Sequence, residues 1–146
     1  NSLSSLDLDP YVMEKRNFVY QKKFQEIKAN EVRYVTTNVD DCDILIVAFG
    51  SAARISNKAM QELRKSGLKV GLLRPITLWP FPEQAIRELS ERVRHIYCIE
   101  INAGQMIDDV RLAVAERCPV DFYGRFGGMI PSPNEVVQFI LNKEQA

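Results

Sequence analysis

DILIVAFGS, residues 43–51, is an apolar run that stops abruptly at Gly50-Ser51. A continuous apolar run of this kind is typical of a strand covered on both faces, as in parallel sheets. Ser51 is a favourable N-cap residue, so a helix is predicted over Ala52–Lys65. Gly67 is expected to end that helix in the left-handed conformation. The stretch therefore predicts one strand–turn–helix unit of an α/β sheet.

The same alternation of strand and helix continues to the end of the chain. Further strands are predicted over Leu68–Leu73, Ile96–Ile101 and Pro119–Tyr123. Further helices are predicted over Glu83–Arg92, Met106–Glu116 and Pro133–Leu141. Such alternation indicates a three-layer αβα fold with a mixed, mostly parallel sheet of about five strands. The runs around Ile44, Val70 and Ile99 should form its buried centre.

A different pattern precedes this alternation. Asp9-Pro10 reads as an N-cap and a first-turn proline, and they open a long amphipathic helix that ends near Ala29-Asn30. Val32–Thr37 is rich in β-branched residues and predicts a short strand. We therefore expect residues 1–39 to form a linker helix and an edge strand, and residues 40–146 to form the α/β domain.

Composition excludes several classes of protein. Lys+Arg and Asp+Glu both number 19, and this zero net charge argues against binding to nucleic acid or to a membrane surface. The three cysteines lie far apart, which disfavours a disulfide framework, a zinc site or an iron–sulfur cluster held by this chain. Cys98 is expected to be a buried small hydrophobe, and a reducing cytoplasm is the expected location. His95, the single histidine, is expected to cap an element or to lie on the surface.

The loops that follow the predicted strands hold the candidate site residues. If the strands are parallel, these loops gather beyond the carboxyl ends of the strands, where α/β proteins carry their functional residues. The candidates there, expected to form an interface rather than a catalytic or cofactor site, are Arg54, Arg74, Trp79, Phe81, Glu100, Asn102 and Gln105.

Three interpretations of this edge compete. Gly50-Ser51 at a helix start could bind an anion through backbone amides, but no phosphate-binding fingerprint accompanies it, so a tight turn is favoured. A hydrolase is disfavoured because no nucleophile elbow is present. An interaction edge is favoured, because prolines fix the backbone around Trp79 and Phe81, although both rings could instead fold inward beneath the following helix. Glu100 and Asn102 fit turn chemistry better than proton transfer.

Several segments together resemble a known family. They are DLDPYVMEKRNFVYQKKF (7–24), DILIVAFGSAAR (43–54), GLKVGLLRPITLWPFPEQ (67–84), IYCIEINAGQM (96–106) and GRFGGMIPSPNEV (124–136). Residues 43–141 resemble the C-terminal, transketolase C-terminal-like domain of the alpha subunit of 2-oxoacid:ferredoxin oxidoreductases, with most similarity to the 2-oxoisovalerate type.

The resemblance implies an enzyme that oxidatively decarboxylates a 2-oxoacid to an acyl-CoA. Thiamine diphosphate with Mg²⁺ forms the adduct in such enzymes, and iron–sulfur clusters pass electrons to ferredoxin. No part of this chain resembles the domains that hold those cofactors, so it is expected to be a fragment that is inactive in isolation and that contacts other domains and subunits. The resemblance also implies that the strand near Val32–Thr36 runs antiparallel to the others. The alternative is a free-standing module that binds a small anion through Gly50, Ser51 and Arg54.

Overall fold

A computed structural model describes residues 8–145. Within that range a long first helix precedes the sheet, and four further helices alternate with the last four of the five strands. The helices are α1 (Pro10–Asn30), α2 (Gly50–Lys65), α3 (Glu83–Ser90), α4 (Met106–Val114) and α5 (Pro133–Glu144). The strands are β1 (Tyr34–Thr37), β2 (Ile44–Ala48), β3 (Val70–Pro75), β4 (His95–Glu100) and β5 (Val120–Gly124). None of the helices in this range is both long and apolar enough to cross a bilayer.

The five strands form one sheet in the order β1-β3-β2-β4-β5. Strands β3, β2, β4 and β5 are mutually parallel, whereas β1 pairs antiparallel with β3. The predicted mixed sheet and its antiparallel edge strand are therefore confirmed. Because four strands point the same way, their following loops meet at one edge, which we call the carboxyl edge.

Apolar side chains on both faces of the sheet explain the uninterrupted run in β2. Leu45 and Val47 face a cluster built with α3 and α4, while Ile44, Ile46 and Ala48 face a second cluster built with α2 and α5. All five residues have no exposed surface. The chain therefore has a core on each side of the sheet, as the sequence predicts for a three-layer fold.

The start of α2 differs from the prediction. The helix begins at Gly50, whose φ is +55°, and Phe49 holds the N-cap position without a side-chain hydrogen bond. Ser51 lies inside the first turn, so its predicted capping role is wrong. Glycine adopts a positive φ more readily than other residues. The chain therefore turns from β2 into α2 at Gly50, one residue before Ser51. Gly67 takes a φ of +91°, which confirms its predicted left-handed role at the other end.

Helix α1 is not amphipathic in the expected sense. Asp9 caps it as predicted, accepting a hydrogen bond from the Tyr11 amide at 2.9 Å, but no residue of α1 is buried. Its apolar residues occur in consecutive groups, Tyr11–Met13 and Phe18–Tyr20, and such groups surround a helix instead of lining one face. Phe24 makes an edge-to-face contact with Trp79, with ring centroids 5.7 Å apart.

The surface or capping role predicted for His95 is also wrong. Its side chain is only 16% exposed, and Nε2 lies 3.0 Å from Oδ2 of Asp121. The ring stacks on Tyr97 at 4.3 Å, and the Tyr97 hydroxyl donates to Glu144 of α5 at 2.6 Å. Burial, followed by this hydrogen bond, raises the pKa of the Tyr97 phenol far above its usual range. These groups join α5 to the start of β4, at the edge of the sheet opposite the candidate site.

Candidate functional site

The carboxyl edge carries the loops that follow β2, β3, β4 and β5. The loop after β4 is organised around Glu100, which is completely buried at the end of that strand. The Glu100 carboxylate accepts hydrogen bonds from the backbone amides of Met106 and Ile107, each at 3.0 Å, and from the Gln105 amide at 3.3 Å. It therefore serves as the N-terminal cap of α4, where a negative charge also interacts favourably with the helix dipole.

Asn102 completes this arrangement. Its Nδ2 donates to Glu100 Oε2 at 3.0 Å, and its Oδ1 accepts from the Gly104 amide at 2.7 Å. Gly104 has a φ of +106°, which allows the chain to turn sharply between β4 and α4. Both Glu100 oxygens are therefore engaged inside the domain, and the carboxylate is a structural group rather than one presented to a substrate. Gln105 is exposed at the same edge.

Cys98 lies beneath this carboxylate and is completely buried, as predicted. Its thiol lies 3.6 Å from Glu100 Oε1. Burial, and then the nearby Glu100 charge, raises the pKa of the thiol far above its usual range. The group therefore remains a neutral thiol, which is neither nucleophilic nor a ready metal ligand.

Gly124, at the end of β5, lets the Glu100–Gln105 loop pack closely against its neighbour strand. A Cβ at this position would lie 2.4 Å from the Asn102 carbonyl oxygen, which is a backbone atom and cannot rotate away. Sequence reasoning placed Gly124 in a glycine-rich loop but gave it no such role. The close approach of Gly124 to Asn102 could not be predicted from the sequence, because the two residues are 22 positions apart.

We expect Gly124→Ala to lower the free energy of unfolding by roughly 1–3 kcal/mol, the usual cost of forcing extra volume into a packed site. Gly127→Ala is the matched variant, because a Cβ there meets no atom within 4 Å, although its φ of +65° adds some backbone strain. Chemical denaturation of both variants measures the difference. A smaller loss for Gly124→Ala than for Gly127→Ala would contradict the close contact.

The segment between β3 and α3 is held rigidly. Thr77 Oγ1 accepts from the Arg33 amide at 2.9 Å and donates to the Pro80 carbonyl at 2.9 Å. The Ile76 amide donates to the Arg33 carbonyl at 2.9 Å, and the Trp79–Pro80 peptide is cis. The aromatic segment is therefore fixed to the chain that precedes β1.

Trp79 and Phe81, which share one prediction in the sequence analysis, occupy different environments. Trp79 is 53% exposed and lies against Phe24 of α1. Phe81 is half-buried and packs on the core cluster that includes Ala85 and Ile86 of α3. The inward position considered as an alternative therefore describes Phe81, while Trp79 is presented at the surface.

Two apolar patches lie at the carboxyl edge. The first, which we call the tryptophan patch, comprises Ile76, Leu78 and Trp79 after β3, each 44–53% exposed. The second follows β5 and comprises Phe126, Met129 and Ile130, each 53–66% exposed. Sequence reasoning did not single out this second patch, although three large apolar residues among glycines and prolines in one loop were a usable signal. Exposed clusters of this kind mark surfaces that associate with other proteins.

Arg54 of α2 and Arg74 of β3 line a common cleft, together with Gly50 at the start of α2. The structure therefore brings these two predicted residues together on the side of the sheet covered by α2. Glu100 and Asn102 form the separate loop network described above, and Trp79 belongs to the tryptophan patch.

The potential metal ligands in the described part of the chain are dispersed. Among residues 8–145, no group of three His, Cys, Asp or Glu side chains is placed to hold a metal ion. Cys42 and Cys98 are buried in the core cluster beneath α3 and α4, and Cys118 is half-buried against the same cluster. Three cysteines in these positions do not form the set of four thiolates that commonly holds an iron–sulfur cluster.

Comparison with known proteins agrees with this fold. Residues 42–136 match the family model described as pyruvate:ferredoxin oxidoreductase core domain II. The ketoisovalerate oxidoreductase subunit VorB of Methanothermobacter thermautotrophicus is 40% identical over 140 residues, which is 96% of this chain and 40% of that protein. The chain thus spans well under half the length of this relative.

Solved structures show the same fold. A 2-oxoglutarate:ferredoxin oxidoreductase from Magnetococcus marinus, solved with 2-oxoglutarate, coenzyme A and succinyl-CoA bound, aligns with a TM-score of 0.74 at 21% identity, over 94% of this chain and 24% of that one. A split-gene transketolase, solved as an inactive beta4 tetramer, aligns with a TM-score of 0.62 at 18% identity, over 74% of this chain and 40% of that one. The resemblance noted in the sequence is therefore confirmed: the chain belongs to the pyruvate:ferredoxin oxidoreductase core domain II family.

Proposed function

We propose that the chain is the transketolase C-terminal-like domain of the alpha subunit of a cytoplasmic 2-oxoacid:ferredoxin oxidoreductase that acts on 2-oxoisovalerate or a related 2-oxoacid. The similarity to VorB over 96% of this chain supports the substrate class. The whole enzyme would convert the 2-oxoacid and CoA to an acyl-CoA and pass electrons to ferredoxin. Residues 1–39 would act as the linker to the rest of the subunit, and residues 40–146 as the domain itself.

Within that enzyme, we assign the domain a role in assembly, and the surface position of Trp79 carries this proposal. The ring is 53% exposed, although hydrogen bonds through Thr77 fix the loop that carries it. A preformed aromatic anchor loses little conformational entropy when a partner covers it. Trp, Tyr and Arg are also the residues most often found at the energetic centres of interfaces.

The chemistry at the carboxyl edge supports the same assignment. Glu100 and Asn102 are the polar residues at the end of β4 that the sequence analysis considered for proton transfer. Their side chains instead hydrogen-bond to each other and to backbone amides between β4 and α4. Thiamine diphosphate chemistry requires a magnesium–diphosphate site, and the described residues contain no group of three or more His, Cys, Asp or Glu side chains that could hold a metal ion. We therefore assign thiamine diphosphate, Mg²⁺ and the iron–sulfur clusters to other domains or subunits of the enzyme.

Isothermal titration calorimetry tests this assignment. We expect thiamine diphosphate with Mg²⁺ to produce no saturable heat when titrated into the 146-residue chain, and we expect no oxidation of 2-oxoisovalerate by the chain alone. The same titration into the assembled enzyme is the positive control. Tight binding by the chain, or turnover by it, would contradict the assignment.

The second candidate, a free-standing module for small anions, is favoured by the cleft that Arg54 and Gly50 share. The two functions differ in what Trp79 does. An anion-binding module would tolerate truncation of this ring, whereas an assembly domain would lose association with its partners.

A further inference from the structure

A cleft of about 320 Å³ lies between the first turns of α2, the edge strand β1 and its neighbour β3. Arg54 reaches it from α2, and Arg74 reaches it from β3, opposite Val35 of β1 in the sheet register. The side chains of Thr37 and Asn57 also line it. The cleft therefore combines two arginines with neutral hydrogen-bonding residues, and none of the described residues that line it is Asp or Glu.

The charge of this cleft is not balanced within the domain. Among residues 8–145, the side chains of Arg54 and Arg74 make no hydrogen bond and no ion pair. Elsewhere on the surface, Arg33 pairs with Glu31 at 2.8 Å and Arg64 pairs with Asp41 at 2.7 Å. Two positive charges that share one cleft repel each other unless an anion lies between them.

The start of α2 adds further donors on the same side. Gly50 lines the cleft, and the N-cap residue Phe49 offers no side-chain acceptor to the first amides of the helix. Free amides and the positive end of the helix dipole favour an anion at this position. The amides alone would not define a site, but here they accompany two arginines that line the same cleft.

We propose that the Arg54–Arg74 cleft binds an oxyanion, either a phosphate or a carboxylate group. Guanidinium groups match the planar pair of oxygens of a carboxylate and two oxygens of a phosphate, each through two parallel hydrogen bonds. The cleft is large enough for one such group with part of the molecule that bears it. This proposal does not rest on the assignment to an oxidoreductase.

Titration of the chain with inorganic phosphate and, separately, with acetate tests the proposal by two-dimensional amide NMR. We expect saturable shifts at Gly50, Ser51 and Ala52 with a dissociation constant on the order of 1 mM for at least one anion. Arg54→Gln and Arg74→Gln should each weaken binding by roughly 10- to 100-fold, because each removes a charge-assisted hydrogen bond. Arg74→Lys should be intermediate, since it keeps the charge but loses the paired geometry.

Two controls separate a site from general charge attraction. Sodium chloride at equal ionic strength should not reproduce the shifts, and Arg92→Gln, an exposed cation outside the cleft, should leave the dissociation constant unchanged. Preference for phosphate would indicate a phosphate ester as the natural ligand, and preference for acetate would indicate a carboxylate. Shifts that do not saturate with either anion, or equal weakening by Arg92→Gln, would overturn the proposal.

Discussion

Replacing Glu100 by Ala is expected to lower the free energy of unfolding by roughly 3–5 kcal/mol, the largest effect of any single substitution considered for this domain. The carboxylate is completely buried and accepts hydrogen bonds from the amides of Gln105, Met106 and Ile107 and from Asn102. Truncation would leave these donors without an acceptor in a dry environment, and each buried unsatisfied donor costs about 1–3 kcal/mol.

Urea denaturation of Glu100→Ala, Glu100→Gln and Glu14→Ala measures this effect. Glu100→Gln keeps the volume and one acceptor oxygen but replaces the other oxygen with a donor that faces amides, so we expect an intermediate loss. Glu14 is exposed on α1, and its replacement by Ala should change stability by less than about 0.5 kcal/mol. Equal stability of Glu100→Ala and Glu14→Ala would show that Glu100 does not cap α4.

The second large effect separates the two aromatic residues of the segment after β3. Phe81→Ala should lower the free energy of unfolding by roughly 2–4 kcal/mol, because its ring packs on the core cluster beneath α3. Trp79→Ala should cost the domain only about 1 kcal/mol, the value of its edge-to-face contact with Phe24. In the assembled enzyme, however, Trp79→Ala should weaken association at least about tenfold, since burying a large aromatic side chain contributes roughly 1.5–3 kcal/mol.

The sequence predicted the layers of the fold well because its signals were local. The uninterrupted run Ile44–Phe49 is typical of a strand covered on both faces, and Gly67 marks the end of α2. The short connections between elements then restricted the topology to a few arrangements. The antiparallel position of β1 came from the family resemblance, because its residues alone indicate a strand without a direction.

The parts that sequence reasoning missed depend on contacts between distant positions. Phe81 and Trp79 have similar sequence surroundings, and only the packing of α3 separates a half-buried ring from an exposed one. The two charged partners of His95 are distant in the sequence, because Asp121 lies on the neighbouring strand and Glu144 lies at the end of α5. The joint cleft of Arg54 and Arg74 likewise forms only when β3 and α2 are placed side by side.

The central claim is that this domain acts in assembly through its carboxyl edge. The most direct test is the dissociation constant between the subunit that contains this domain and its partner subunits, measured by sedimentation for Trp79→Ala and for Leu112→Ala. Leu112 is a matched control, because it is 71% exposed on α4 outside the two apolar patches. We predict at least about tenfold weaker association for Trp79→Ala, with little change for Leu112→Ala. Association of Trp79→Ala with wild-type affinity would contradict the claim.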